Sequence, residues 1–158
     1  MEIKKLFGIE NKVAIVTGGS RGIGEMITSG FLANGVKVYI SARKAPALIE
    51  KAKELSDMYQ QECIPVPSDL STIEGIESFV GSISEKEEGI DFLINNAGAA
   101  WGEPFETFSE QGWDKVMNLN VKSMFFLTQK LKSHLLKRCT LDDPSRVINI
   151  GSIDGLNV

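Results

Sequence analysis

Short apolar runs alternate along the chain with longer stretches in which apolar residues recur every three or four positions. Such runs are typical of buried β-strands, and such stretches are typical of amphipathic helices. The runs predict strands at about 12–17, 36–41, 63–67, 92–95 and 146–151. The two prolines of the third run favour an edge strand. Alternating strands and helices indicate an α/β protein with a parallel sheet and right-handed crossovers.

The stretches between the strands predict the helices and some of their end signals. They lie at about 22–34, at about 45–60, from a capping box at 71–74 to about 88, and at 112–138. Asn34 and Gly35 are a stop signal for the first helix. Ser71 and Glu74 have the spacing of a capping box before the third helix, and Thr107 offers another cap before the fourth.

Composition narrows the class of protein. The chain has 158 residues and a formal net charge of −4, with its basic residues scattered, so a nucleic-acid-binding face is not expected. Cys63, Cys139 and the lone His134 show no metal-binding spacing, so no metal site is expected. We found no signal-peptide core or membrane-length apolar run, so we expect a single, soluble, cytoplasmic domain.

The first strand runs directly into a glycine-rich turn that opens the first helix. This order is that of a dinucleotide-binding unit, in which the turn and the helix N-terminus hold a pyrophosphate. The alternative is a tight turn of any α/β protein. No Lys-Ser or Lys-Thr pair follows the glycines, which excludes a P-loop. The candidate coenzyme-binding residues are Gly18, Gly19, Ser20, Arg21, Gly22, Ile23 and Gly24.

Two arginines bear on which dinucleotide would bind. Arg21 lies inside the glycine turn and Arg43 lies just past the second strand, where no Asp or Glu occurs at 41–43. An acidic residue there would favour NAD, whereas an arginine would pair with the 2′-phosphate of NADP. We therefore expect NADP(H) as the coenzyme. The alternative is that both arginines are solvated surface residues.

Two motifs together resemble the short-chain dehydrogenase/reductase family. One is the Thr-Gly-x-x-x-Gly-x-Gly motif at 17–24, and the other is the Asn-Asn-Ala-Gly tetrad at 95–98. The resemblance covers essentially the whole sequence but only the first part of the family's domain. It implies a Rossmann-type, doubly wound parallel sheet that is truncated after the fifth strand, in one incomplete domain over 1–158.

The resemblance also implies further coenzyme contacts. Asp69 matches the family residue that bonds the adenine amino group, with Leu70 beside the ring, although Asp69 also precedes a helix start. Asn96 matches the family's coenzyme contact, and the small residues Ala97 and Gly98 would let the backbone lie against the ribose. A generic asparagine-glycine turn is the alternative for the tetrad.

Two catalytic positions follow from the same resemblance. Asn120 matches the asparagine that holds a water in a proton relay, and Ser152 matches the serine that hydrogen-bonds the substrate carbonyl. A core asparagine and a strand-end serine are the alternatives. The family's acid/base is a Tyr-x-x-x-Lys pair beyond this serine. Neither Tyr39 nor Tyr59 has a lysine four residues later, so we expect the 158-residue chain alone to be inactive.

The resemblance implies an NADPH-dependent carbonyl reductase. Trp101 and Gly102, three residues after the tetrad, look most like the 3-oxoacyl-acyl-carrier-protein reductases of the rhamnolipid-biosynthesis type. A dehydrogenase of another alcohol or ketone, such as a sugar or steroid, and a non-catalytic nucleotide-binding fragment are the alternatives. Full-length relatives are commonly tetramers, so we expect a homo-oligomer. We also expect self-association of this chain through the helix at 112–138.

Overall fold

Five parallel strands form one sheet in the computed structural model, which describes residues 7–153. The strands are β1 (Val13–Thr17), β2 (Lys37–Ala42), β3 (Cys63–Pro67), β4 (Phe92–Asn95) and β5 (Arg146–Asn149). Their order across the sheet is β3-β2-β1-β4-β5. The predicted α/β class and the predicted edge position of the third strand are both confirmed.

The helices follow the strands in the predicted order. They are α1 (Gly22–Ala33), α2 (Ala45–Tyr59), α3 (Ile73–Ser84), α4 (Glu110–Met117) and α5 (Ser123–Arg138). A single 3₁₀ turn at Phe105–Thr107 precedes α4. The prediction of one continuous helix over 112–138 is wrong, because a π-helical segment, Asn118–Lys122, separates α4 from α5.

The two faces of the sheet are covered by different helices. Alternate strand residues point to opposite faces, so Ile15 and Leu93 join one core with α3 and α5. Val16 and Ile40 join the other core with α1 and α2. Because the chain returns from β3 at one edge to β4 beside β1, the strand order reverses there. Ligands of such sheets bind outside the carboxyl ends of the strands at this switch point.

A buried carboxylate fastens the amino end of β4 to its neighbours. Asp91 is 6% exposed, and its Oδ2 accepts hydrogen bonds from the Val13 N–H at 2.8 Å and from the Arg138 guanidinium at 3.0 Å. Its backbone also bonds Val13 and Arg146. Asp91 therefore joins β1, β4, β5 and the end of α5 at the edge opposite the switch point.

A second network lies at the same amino edge of the sheet. The hydroxyl of the fully buried Tyr39 donates to Glu87 Oε1 at 2.7 Å, and Lys37 Nζ lies 2.9 Å from the same oxygen. Burial raises the pKa of Tyr39, and the Glu87 carboxylate raises it further. Tyr39 is thus a neutral core residue at ordinary pH.

Both predicted helix caps are wrong by one or two residues. The α3 cap is Thr72, whose hydroxyl accepts the Gly75 N–H at 3.0 Å. Ser71 lies one residue earlier, and its N–H and hydroxyl both donate to Asp69. The α4 cap is Ser109, whose hydroxyl accepts the Gly112 N–H at 3.1 Å.

Candidate coenzyme and active site

The glycine-rich turn connects the central strand β1 to α1 at the carboxyl edge of the sheet. Gly18 has a φ of +65°, a left-handed conformation that side chains rarely adopt. A Cβ at Gly24 would lie 2.2 Å from the Gly18 carbonyl oxygen. The first turn of α1 therefore sits directly on the glycine turn, with helix N–H groups that have no partner within the helix. This is the geometry that receives a phosphate.

The asparagine tetrad is fastened to this turn by side chains. The Thr17 hydroxyl oxygen accepts the N–H groups of Asn96 and Ala97, both at 2.9 Å. The Asn96 amide nitrogen donates to the Thr17 carbonyl oxygen at 2.9 Å. The structure thus brings together the two motifs that carry the family resemblance. The sequence reasoning assigned no role to Thr17, although its place in the first motif was visible.

The turn is also attached to β2, which carries the candidate NADP-selecting arginine. The Gly18 N–H donates to the Ser41 carbonyl oxygen at 3.0 Å. Arg43, two residues further on, is exposed. Hydrogen bonds from the Ser71 hydroxyl and N–H, together with the charge of Arg43, lower the pKa of Asp69. Arg43 and Asp69 therefore lie at one corner, at the ends of the adjacent strands β2 and β3.

The remaining predicted coenzyme residues differ in accessibility. Ser20 is half-buried, and Arg21, the N-cap residue of α1, is exposed. Ile23 presents an apolar side chain that is 61% exposed. Leu70, in contrast, is 3% exposed and belongs to the core with Ile76. Its side chain offers little surface to an adenine ring.

Asn120 lies in the π-helical segment and holds the chain just after the tetrad. Its Oδ1 accepts the Ala99 N–H at 2.8 Å, and its Nδ2 donates to the Ala99 carbonyl oxygen at 2.9 Å. Both atoms of the amide are therefore engaged by backbone. Segments of π-helix within α-helices are frequent at functional sites.

Ser152 lies past the end of β5 and is exposed. The Ile150 N–H donates to the Asn95 carbonyl oxygen at 2.9 Å, which extends the β4–β5 pairing towards Ser152. The Asn95 side chain strengthens the same link, since its Nδ2 donates to Asn149 Oδ1 at 2.8 Å and to Thr128 Oγ1 at 3.3 Å. Asn120 and Ser152 thus both belong to the carboxyl edge, on the α5 and β5 side of the glycine turn.

Neither tyrosine belongs to this edge. Tyr39 is buried against Glu87, and Tyr59 ends α2 on the way to the amino end of β3. Within residues 7–153, no three His, Cys, Asp or Glu side chains form a group suited to a metal ion. In the same range no helix has the length and apolar character needed to cross a membrane.

Comparisons with known proteins agree with this geometry. A rhamnolipids biosynthesis 3-oxoacyl-acyl-carrier-protein reductase of Pseudomonas aeruginosa is 42% identical over 151 residues, which cover 96% of this chain and 58% of that protein. The Pseudomonas aeruginosa RhlG/NADP active-site complex has a TM-score of 0.92 at 40% identity, covering 100% of this chain and 60% of its own. L-Sorbose reductase from Gluconobacter frateurii, complexed with NADPH and L-sorbose, has a TM-score of 0.85 at 30% identity, covering 92% and 54%.

The family match extends over nearly the whole sequence. The model described as short chain dehydrogenase matches residues 12–158, which include the glycine turn, the tetrad, Asn120 and Ser152. The chain spans less than two thirds of the length of the relatives named above. On this match, the chain belongs to the short-chain dehydrogenase family.

Proposed function

We propose that this chain is the coenzyme-binding part of an NADPH-dependent carbonyl reductase. The observation that carries the proposal is the cradle at the carboxyl edge, where Gly24 leaves no room for a Cβ against Gly18. Its backbone N–H groups would hold the pyrophosphate, and the backbone at 96–98 would lie beside the ribose. NADPH, when bound, supplies the hydride for a ketone.

The preference for NADP(H) over NAD(H) is assigned to Arg43, with Arg21 in the glycine turn as a second candidate donor to the 2′-phosphate. Arg43 is exposed, and its charge already acts on Asp69 at the same corner. A guanidinium gives planar, charge-assisted donors to a phosphate. The RhlG structure is described as an NADP complex and the L-sorbose reductase structure as an NADPH complex, which supports the proposal.

The two candidate catalytic residues, Ser152 and Asn120, are assigned different roles. Ser152 would donate a hydrogen bond to the substrate carbonyl and orient it towards the coenzyme. Because the Asn120 amide is occupied by Ala99, we assign the proton-relay role to the backbone around Asn120. The side chain of Asn120 then anchors that backbone to the tetrad loop.

The proposed substrate is a 3-oxoacyl thioester. Support comes from the 42% identity to a reductase named for 3-oxoacyl-acyl-carrier-protein. A sugar ketone is the second candidate, because an L-sorbose reductase shares the fold at 30% identity. Turnover of acetoacetyl thioester and of a ketose, each with NADPH and the full gene product, separates them.

The 158 residues by themselves are proposed to bind NADPH without turning over substrate. They contain no Tyr-x-x-x-Lys pair, and Tyr39 is buried and hydrogen-bonded away from the site. Titration of NADPH against this polypeptide, with turnover assayed in the same samples, tests both parts. Turnover by these residues alone would contradict the second part.

Coenzyme preference is tested with a charge reversal. We expect Arg43→Glu to weaken NADPH binding at least about tenfold, while NADH binding changes little, since only NADPH carries the 2′-phosphate. Lys137→Glu, at the exposed end of α5, changes the net charge equally and serves as the control. An unchanged NADPH-to-NADH ratio in Arg43→Glu would contradict the assignment.

Assembly and location stay proposals as well. The exposed apolar side chains of Trp113, Val121 and Phe125 on the α4–α5 segment support a homo-oligomer, a tetramer by analogy with full-length relatives. Self-association of this polypeptide through the same segment is tested by light scattering, and a monodisperse monomer would contradict it. A cytoplasmic location is consistent with two free cysteines, one buried and one exposed.

A further inference from the structure

The loop over residues 99–109, which joins β4 to α4, begins at the candidate active site. Its first residue, Ala99, is held by both atoms of the Asn120 amide. Its last residue, Ser109, caps α4. The loop therefore starts at residues held against the tetrad and ends at the N-terminus of α4.

Trp101, near the start of the loop, packs onto α4. A Cβ at Gly112 would lie 2.3 Å from Trp101 Cδ1 and 2.5 Å from its Nε1, so the indole rests directly on the helix backbone. Gly112 is the buried residue of α4. The Lys115 ammonium lies 4.1 Å from the centre of the Trp101 ring, which adds a cation–π contact.

Glu103 forms a hydrogen bond that links two parts of the same loop. Its Oε2 accepts the Ser109 N–H at 2.6 Å. That bond, followed by the Ser109 hydroxyl and the Trp101 indole N–H, lowers the pKa of Glu103, so the carboxylate is charged at neutral pH. The loop is consequently held at Ala99, at Trp101 and at Ser109, all by groups that belong to α4, the π-helical segment or the loop itself.

We propose that Trp101 is a positioning residue that locks the 99–109 loop onto α4 and so sets the wall against which the carbonyl substrate binds. This inference rests on the proposed reductase function. A loop already ordered in its binding position avoids an entropy cost when substrate binds. Loss of this contact should weaken substrate binding and leave coenzyme binding unchanged, because the glycine turn is held by Thr17, Asn96 and Ser41.

The proposal is tested by a substitution in α4 that displaces the Trp101 indole. Gly112→Ala places a methyl group where the indole rests, whereas Gly81→Ala in α3 meets nothing within 4 Å and is the matched control. In Gly112→Ala we expect the amide hydrogens of Ala99 and Ser109 to exchange at least about tenfold faster. With the full gene product, we expect the substrate KM to rise about tenfold or more, with the NADPH Kd within about twofold of wild type.

A second pair of variants checks that the indole is responsible. Trp101→Phe keeps a ring on Gly112 and should fall between wild type and Trp101→Ala in both exchange rate and KM. Equal effects of the two variants, or unchanged exchange at Ser109 in Gly112→Ala, would overturn the lock. A matching loss of NADPH affinity in Gly112→Ala would also overturn it. If the wild-type protein does not bind NADPH, the proposed reductase function is wrong, and so is the proposed effect of Trp101 on substrate binding. The exchange rates of Ala99 and Ser109 still show whether Trp101 holds the loop on α4.

Discussion

Thr17 and Asn96 hydrogen-bond to each other in both directions. The Thr17 hydroxyl oxygen accepts the Asn96 N–H, and the Asn96 side chain donates to the Thr17 carbonyl oxygen, each at 2.9 Å. Thr17 is 2% exposed, so these bonds are shielded from water. The glycine turn and the tetrad therefore act as one rigid unit at the ends of β1 and β4.

Replacing Thr17 by Val should weaken this unit. The variant keeps the shape of the side chain but leaves the N–H groups of Asn96 and Ala97 without their acceptor. We expect a loss of about 2 kcal/mol in the free energy of unfolding, measured by urea denaturation, and weaker NADPH binding. Thr17→Ser keeps the hydroxyl and should bind NADPH as wild type does. Equal NADPH affinity in Thr17→Val and wild type would contradict the role.

Replacing Gly24 by Ala should damage the coenzyme cradle selectively. The new Cβ would lie 2.2 Å from the Gly18 carbonyl oxygen, so the turn must move. We expect at least about a hundredfold loss of NADPH affinity in a fluorescence titration, because the phosphate site depends on this backbone position. Gly30→Ala lies in the same helix with nothing within 4 Å and provides the control. Similar NADPH affinities in the two variants would count against the cradle.

Removing the Asp91 carboxylate should destabilise the fold without touching the coenzyme site. Asp91→Ala leaves the buried Val13 N–H without its acceptor and removes the partner of the exposed Arg138 guanidinium. We expect a loss of about 2 kcal/mol in the free energy of unfolding, because a buried donor is left unpaired. Asp57→Ala removes only an exposed ion pair with Lys53 and should leave the free energy of unfolding nearly unchanged. The idea fails if the two variants unfold at the same urea concentration.

Asp69 should make stability depend on pH in the acid range. Its pKa is lowered in the folded protein, chiefly by the Ser71 hydroxyl. Its contribution is therefore fully present above its unfolded pKa of about 3.9 and is lost as pH falls through the folded value. We expect the difference in unfolding free energy between wild type and Asp69→Asn to be constant from pH 7 to about pH 5 and to shrink below about pH 4. A difference that grows on acidification would have the wrong sign.

The hydrophobic pattern located the strands and most helices because each strand is a short apolar run bounded by turn residues. The segment 92–95 was predicted with its observed bounds, and residues 13–17 are buried throughout. The motif spacing likewise predicted the switch-point turn and the tetrad beside it. Local patterns sufficed where a residue's role follows from its immediate neighbours in the chain.

The incorrect predictions concern residues whose structure depends on side-chain contacts, and the sequence pattern does not show which of the possible contacts forms. Ser71 has the spacing of a cap, but its hydroxyl bonds Asp69 and the N–H of Gly75 bonds Thr72. Apolar periodicity runs unbroken through 118–122, yet the Asn120 amide bonds a loop twenty-one residues away in the chain, where the helix adopts π geometry. The contact between Trp101 and Gly112 could not be predicted either, because no local sequence signal shows which glycine an indole ring packs against.

The buried networks of Asp91 and Tyr39 lie at the opposite end of the strands from the glycine turn. The amino ends of β1, β2, β4 and β5 are thus fastened by buried side chains, while the carboxyl end of β2 leads to the exposed Arg43. Substitutions at Arg43 can therefore change nucleotide selectivity with little effect on the free energy of unfolding.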